Sequence, residues 1–278
     1  MRIARTLPEL HAATAALRAG GRRLGLVPTM GALHAGHGAL VAAAVASDAA
    51  PVASIFVNPL QFSPTEDLAR YPRDEAGDLA KLESWGCALA WLPDLATMYP
   101  AEGATAIVPE GPAEGWEGAA RPGHFRGVAT VVAKLFGQVG AETAYFGEKD
   151  WQQLRVVTRM ATDLHLPVTV IGIETVREID GLALSSRNRY LSPAERAQAP
   201  ALARALRAAA AALAGGAAAG PVLARETAAL TAAGFGVEYF ALVDGPSLRA
   251  IEAATPGARL IAAARLGPVR LIDNLGVD

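Results

Sequence analysis

Cysteine is almost missing: Cys87 is the only one in 278 residues. That excludes an internal disulfide and a multi-cysteine zinc site. Set between Gly86 and Ala88, it reads as a core thiol rather than a nucleophile. Lysine is nearly as scarce. Lys81, Lys134 and Lys149 are the only lysines among 25 basic residues. Heavy alanine use suggests a genome-level bias that would account for this. Even so, each lysine supplies what arginine does not, a compact point charge able to approach one phosphate oxygen. Excess charge is missing too. A net charge of −2 gives none of the basic field of a nucleic-acid binder, so no nucleic-acid partner is predicted. Apolar runs are broken by Gly, Pro or charge before they reach membrane-spanning length. Met1 to Arg5 is not followed by the apolar segment of a signal peptide. The expectation is a soluble cytoplasmic protein with no membrane partner.

What is present is a chain long enough for one large or two ordinary domains, with 52% hydrophobic residues to build a core. Its most informative stretch is Pro28-Thr29-Met30-Gly31-Ala32-Leu33-His34-Ala35-Gly36-His37. The apolar run Leu24 to Val27 before it predicts a strand, and Ala39 to Ala46 after it predicts a helix. Glycine lets a backbone pass close to a ligand, and a helix start attracts phosphates through its free N–H groups and dipole. Two histidines at i and i+3 face one side. The turn therefore suits a polyphosphate; the competing reading is a tight turn with two surface histidines.

Further along, Thr6 with Glu9 predicts a capping box for a helix to Ala19. Val52 to Val57 predicts a strand buried on both faces, ended by Asn58-Pro59-Leu60-Gln61-Phe62. Asn58 and Gln61 then sit past a strand's carboxyl end, where open α/β sheets bind ligands; their amides suit a hydroxy-acid or carboxylate, unless Asn58 only caps a turn. Glu66 to Arg73 is a charged connection, Asp74 to Trp85 a helix, Ala88 to Leu92 a strand, and Thr105 to Val108 a short strand within a loop. Arg121, His124 and Arg126 stand before a helix from Val128 to Val139, as an anion site or a solvated loop. Thr143 to Phe146 is a strand, followed by Gly147-Glu148-Lys149-Asp150 and a helix from Trp151 to Leu164. There Lys149 can neutralise phosphate, Asp150 can hold hydrated Mg²⁺ or a ribose hydroxyl, and Gln153 lies one turn in; a salt-bridged helix cap is the alternative. Val168 to Ile173 is the next strand.

This alternation predicts an α/β fold, a doubly wound parallel sheet of Rossmann-like type. Beyond residue 176 the texture changes. Leu184-Ser185-Ser186-Arg187-Asn188-Arg189 is polar and flexible, able to close on phosphates or to serve as a linker. Pro193 to Leu213 and Pro221 to Ala233 read as helices; Val237 to Val243, Arg259 to Leu266 and Val269 to Leu275 read as strands. The expected domains are 1–176 and a smaller α+β domain, 177–278.

Pro28 to His37, Phe56 to Phe62, Glu66 to Arg73, Arg121 to Val128, Gly147 to Leu154 and Asp180 to Leu191 together resemble the pantothenate synthetase (pantoate–β-alanine ligase) family of the His-x-Gly-His nucleotidyltransferase superfamily. The His-x-Gly-His turn alone would place only the superfamily; Asn-Pro-x-Gln-Phe, Gly-Glu-Lys-Asp-x-Gln-Gln and Ser-Ser-Arg-Asn make the match specific. The resemblance implies an ATP-dependent ligase that joins pantoate to β-alanine through a pantoyl adenylate, with Mg²⁺ carried mainly by ATP. It implies that Met30, Gly31, Ala32, Leu33, His34, Ala35, Gly36 and His37 line the ATP site. Gly147, Glu148, Lys149, Asp150, Val176, Leu184, Ser185, Ser186 and Arg187 join them there. His34, His37, Lys149 and Arg187 would stabilise the transition state. The family convention makes His37 a proton donor, although phosphoanhydride leaving groups hardly need one, so charge stabilisation is the stronger expectation. Gln61 would bind pantoate and later β-alanine, and Gln153 would bind pantoate, supported by Asn58, Tyr71, Arg121 and His124. An acidic pair common in relatives is reduced here to Gly77-Asp78, so Asp150 and Asp78 stand only as candidate metal ligands; separately, Leu184 stands where Met is more usual. The family also implies a homodimer. The competing functions are an adenylyltransferase of the same superfamily and a non-catalytic nucleotide sensor.

Overall fold

The computed structural model describes residues 1–62 and 71–277; Glu66 to Arg70 of the charged connection lie outside the described residues. By contact density the chain divides into two units, 1–148 with 152–174, and 149–151 with 175–278.

The first unit alternates strands and helices. It runs β1 (Arg2–Ala4), α1 (Leu7–Ala19), β2 (Arg23–Thr29), α2 (Ala35–Ala46), β3 (Ala49–Ile55), α3 (Glu75–Ser84), β4 (Leu89–Trp91), α4 (Leu95–Met98), α5 (Trp116–Ala120), α6 (His124–Val139), β5 (Thr143–Gly147), α7 (Trp151–Asp163) and β6 (Thr169–Ile173). Its sheet has six strands in the order β1-β4-β3-β2-β5-β6, every pair parallel. The chain builds outward from β2 to one side and returns to build β5 and β6 on the other, so β2 and β5 flank the topological switch point. Pairing between them covers Gly25–Thr143 and Leu26–Ala144 only, whereas β2 follows β3 over its whole length. The carboxyl end of β2 is thus left without a β5 partner, and Pro28 there has no N–H to give a ladder. Leu26, Val27, Val52, Ala53, Leu89 and Ala90 are fully buried, as parallel strands covered on both faces require. Cys87 belongs to this core, and burial pushes its thiol pKa up, in keeping with a thiol that only packs.

The second unit carries α8 (Pro193–Gln198), α9 (Ala201–Ala214), α10 (Ala219–Ala232), β7 (Gly236–Asp244), β8 (Ala258–Leu266) and β9 (Val269–Gly276). The three strands form an antiparallel sheet in that order. Leu202, Leu206, Ala209 and Leu213 of α9 form one core with Leu260, Ala262 and Ala264 of β8.

Several sequence expectations hold closely. Glu9 N–H bonds the Thr6 hydroxyl while the Glu9 carboxylate accepts from Thr6 N–H, the reciprocal pair of a capping box. Others are corrected. The helix expected from Pro193 to Leu213 is two helices broken at Pro200, because Pro200 has no N–H and its ring crowds the carbonyl of Arg196. The strand expected at Thr105 to Val108 does not form; Ile107 N–H bonds the Thr130 hydroxyl at 3.0 Å instead. The helices expected from Ala39 and Val128 begin four residues earlier, at Ala35 and His124, which draws His37 and His124 into regular helix. No described helix is long and apolar enough to cross a membrane.

Candidate active site

In the first unit, the turn between β2 and α2 is built by its own backbone. Gly31 has φ +80 and Ala32 has φ +51, two consecutive left-handed residues that let the chain reverse within hydrogen-bond reach of α3. A side chain at Gly31 would come within 2.9 Å of the Asp78 carboxylate, so glycine is required there. Asp78 is 2% exposed. Its two oxygens accept the amides of Ala32 at 2.7 Å and Leu33 at 2.8 Å. Lys81 completes the clamp, donating to the Leu33 carbonyl at 2.9 Å and lying 3.6 Å from Asp78. Asp78, read from the sequence as a candidate metal ligand, spends both oxygens on ordering this turn.

His34 caps α2 from an extended backbone, φ −141 and ψ 176. Its Nδ1 accepts from Gly36 N–H at 3.2 Å, and His34 N–H donates to His37 Nδ1 at 3.2 Å. A Cβ at Gly36 would lie 2.9 Å from the His34 ring, which explains the glycine inside His-x-Gly-His. The rings sit 4.3 Å apart between centroids. An imidazole nitrogen that accepts carries no proton, so each neutral ring holds its hydrogen on Nε2. The fold thereby fixes a pair of Nε2–H donors, side by side, at the start of a helix after the central strand.

Beside β3, Asn58 caps a short 3₁₀ turn, Pro59–Gln61. It is 1% exposed. Its Oδ1 accepts from Leu60 N–H at 3.3 Å and Tyr99 O–H at 2.8 Å, while its Nδ2 donates to Gln61 Oε1 and to the Gly127 carbonyl, both at 3.1 Å. Two donors and two acceptor lone pairs are all an amide has, so Asn58 holds Gln61 in place. Gln61 Nε2 in turn reaches Met30 Sδ at 3.0 Å, bringing the ends of β2 and β3 together. Arg121 Nη2 and His124 Nδ1 both donate to the Gln61 carbonyl, at 3.2 and 2.8 Å, and Arg121 Nη1 meets His124 Nε2 at 3.1 Å. Read from the sequence as an anion site or a loop, Arg121 and His124 brace Gln61. Tyr71 packs edge-on against Phe62. Gly147 ends β5 on the other side of the switch point and Glu148 opens the short 3₁₀ turn after it, and Gln153 is half-buried in the first turn of α7. Its neighbour Gln152 is the buried one, and it bonds Glu117 N–H and the carbonyls of Pro112 and Glu114.

In the second unit, Lys149 is 17% exposed and lies 3.6 Å from the Asp150 carboxylate, itself 47% exposed. Leu184 N–H bonds the Val176 carbonyl at 3.0 Å, closing a small hairpin through the Arg177–Ala183 bridge. Ser185 caps a 3₁₀ turn, Ser186–Tyr190, by accepting from Arg187 N–H at 3.3 Å. Asn188 ties that turn to the Ala183 carbonyl at 3.0 Å. The Ser-Ser-Arg-Asn stretch is therefore a hydrogen-bonded turn, not a linker. Arg196 bonds both Glu178 and Asp180 at the hairpin's far end, and its hydrogen bond holds the Asp180 carboxyl below its usual range.

Sequence reading missed Tyr99 and Lys81. Tyr99 gave no local signal, since its partner is 41 residues away. Burial pushes its phenol pKa up to about 12, so it remains a donor to Asn58 through neutral pH. Lys81 carried the one available signal, its scarcity.

A family model described as pantoate-beta-alanine ligase matches residues 2–276. The pantothenate synthetase of Granulibacter bethesdensis is 60% identical over 278 residues, covering 99% of this chain and 97% of that protein. That of Acidiphilium cryptum is 56% identical over the full length of both. Among solved structures, pantothenate synthetase from Thermus thermophilus matches with a TM-score of 0.94 at 51% identity, over 100% of this chain and 99% of that one. Pantoate-beta-alanine ligase from Francisella tularensis, complexed with beta-gamma ATP and beta-alanine, matches with a TM-score of 0.84 at 31% identity, over 99% and 97%. With the family model spanning nearly every residue and relatives this similar end to end, the chain belongs to the pantoate–β-alanine ligase family and is an enzyme of that class.

Proposed function

We propose that this enzyme condenses (R)-pantoate with β-alanine in two steps. A pantoate carboxylate oxygen attacks the α-phosphorus of ATP, forming pantoyl adenylate and expelling pyrophosphate. The β-alanine amine then attacks the activated carbonyl, AMP leaves, and pantothenate forms with loss of the amine proton. A free carboxylate cannot lose oxide; the mixed anhydride gives it AMP as leaving group. The first step needs alignment and neutralisation of phosphate charge rather than covalent help from the protein.

The observation that carries this reading is the pair of backbone amides on Nδ1 of His34 and His37, which makes Nε2 the donor position of each neutral ring. In this role both hydrogen-bond phosphate oxygens as negative charge moves toward pyrophosphate, and His37 acts by stabilising that charge. Met30 to His37 cradle the nucleotide with Gly147 to Asp150, Val176 and Leu184. Lys149, Ser185, Ser186 and Arg187 neutralise the phosphates. Gln61 and Gln153 bind pantoate; Asn58, Tyr99, Arg121 and His124 position Gln61, and Tyr71 borders it. We assign ATP and pantoate binding to a domain of residues 1–176 and read 177–278 as a smaller, lid-like domain, although by contact density Lys149 to Trp151 and residues 175 and 176 group with the latter.

Among the described residues no group of three His, Cys, Asp or Glu side chains could hold a metal ion. We read Mg²⁺ as carried mainly by ATP, with Asp150 as its candidate protein partner; when bound it would supply further phosphate neutralisation. From the family we also read a cytoplasmic homodimer. The test is AMP release from the purified enzyme with pantoate, β-alanine and Mg-ATP, each omitted in turn. Release should need all three; AMP retained in a dinucleotide product would identify an adenylyltransferase instead.

A further inference from the structure

Within the second unit, the segment carrying Lys149 is fastened by the C-terminal sheet. Asn274, on β9, is 3% exposed, and its Nδ2 donates to the Lys149 carbonyl at 2.9 Å. Its Oδ1 accepts from Arg259 Nε on β8. The Arg259 guanidinium lies 3.7 Å from the centroid of the Trp151 ring, a stacking distance for a cation on an aromatic face. Trp151 Nε1 donates to the Gly245 carbonyl at 2.8 Å, just past β7. Lys149 to Trp151 is thus gripped at its first carbonyl and at its last ring. Next to Asn274, Asp273 is 4% exposed and takes Arg177 through two bonds, at 2.7 and 2.9 Å. Arg177 also donates to the Gly181 carbonyl at 3.1 Å, so the same β9 dipeptide steadies the base of the hairpin that carries Val176 and Leu184.

A lysine's charge sits at the end of four rotatable bonds, and its reach depends on where its backbone is anchored. Asn274 supplies that anchor. A buried amide is costly unless it is satisfied, and the sheet's packing alone would be met by an apolar residue at this place. What the amide adds is a donor aimed at the Lys149 carbonyl and an acceptor for Arg259. We propose that Asn274, with Arg259 behind it, is a positioning residue that sets the Lys149 ammonium for the adenylation step. This rests on the phosphate-neutralising role of Lys149 given above.

Asn274→Asp is the most discriminating substitution. It keeps the shape and the acceptor for Arg259, but it turns a donor into a carboxylate facing the Lys149 carbonyl. With pantoate, Mg-ATP and labelled pyrophosphate, the rate of exchange into ATP should fall on the order of 10-fold to 100-fold, as misplacement of a reacting group does, while the KM for pantoate stays unchanged. In the double variant Lys149→Ala/Asn274→Asp, exchange should be no slower than in Lys149→Ala alone, because Asn274 acts through that lysine. Asn274→Ala, which removes the donor without adding charge, gives the same readings if the aspartate variant does not fold. Exchange at the parent rate in a folded Asn274 variant, or losses that simply add in the double variant, would overturn the inference. A Lys149→Ala enzyme that exchanges at the parent rate would instead remove the role of the lysine on which it rests.

Discussion

A hydrogen on one nitrogen rather than another decides what His34 and His37 can do. Because each Nδ1 accepts a backbone amide, each ring presents Nε2–H without having to choose a tautomer when ATP arrives. Replacing His37 by alanine should cut turnover by about 10²- to 10³-fold, the usual loss for a charge-stabilising donor, with the fold intact by circular dichroism; parent-like turnover would contradict the role. Asp78 works one layer back. In Asp78→Asn one of the Ala32 and Leu33 amides faces an NH₂ group in place of an oxygen, so unfolding free energy should fall by roughly 1.5 to 3 kcal/mol in urea titrations. No change would mean that the carboxylate is not holding the turn. Tyr99 makes a pH-dependent contribution. Its folded-state pKa, about 12, lies above the ordinary value of about 10, so the folded protein keeps a proton that the unfolded chain gives up. Stability from this group is complete below about pH 10 and is lost as pH rises toward 12. Tyr99→Phe should show a shallower fall in unfolding midpoint over that window than the parent; equal slopes would rule Tyr99 out as its source.

At the level of elements, the sequence made some things legible and hid others for physical reasons. The β2 turn, the strand ends and the Thr6–Glu9 capping box were readable because each rests on neighbours within a few residues. The true start of α2 was hidden by Gly36 and Gly38, which have low helix propensity, and by a cap made of two histidines in place of the usual Ser or Thr with Glu. The break at Pro200 was readable in principle, and the alanine-rich run around it masked the one residue that mattered. The strand expected near Val108 failed because a single side chain, Thr130, took the amide a neighbour strand would have needed. Long-range partnerships left no local trace: Asp78 reaches back 46 residues to Ala32, and Asn274 reaches back 125 to Lys149. Residue type drew notice to the scarce lysines, but the part Lys81 plays in the clamp was carried by contact and was not legible.

For the molecule as a whole, two units hold different parts of one proposed reaction. The first contains the parallel sheet, the histidine turn and the Gln61 brace; the second contains Lys149 and the Ser185–Arg187 turn. The family match runs over both, so the chemistry is read from the entire chain and not from the nucleotide fold alone, which many activities share. The claim on which the rest depends is that fixed donors drive adenylation of a carboxylate before any amine is needed. Its most direct test is exchange of labelled pyrophosphate into ATP by the purified enzyme given pantoate and Mg²⁺ but no β-alanine. Label should enter ATP only when pantoate is present and should fade sharply in His37→Ala; absence of exchange under those conditions would contradict the adenylate and the role assigned to the turn that builds it.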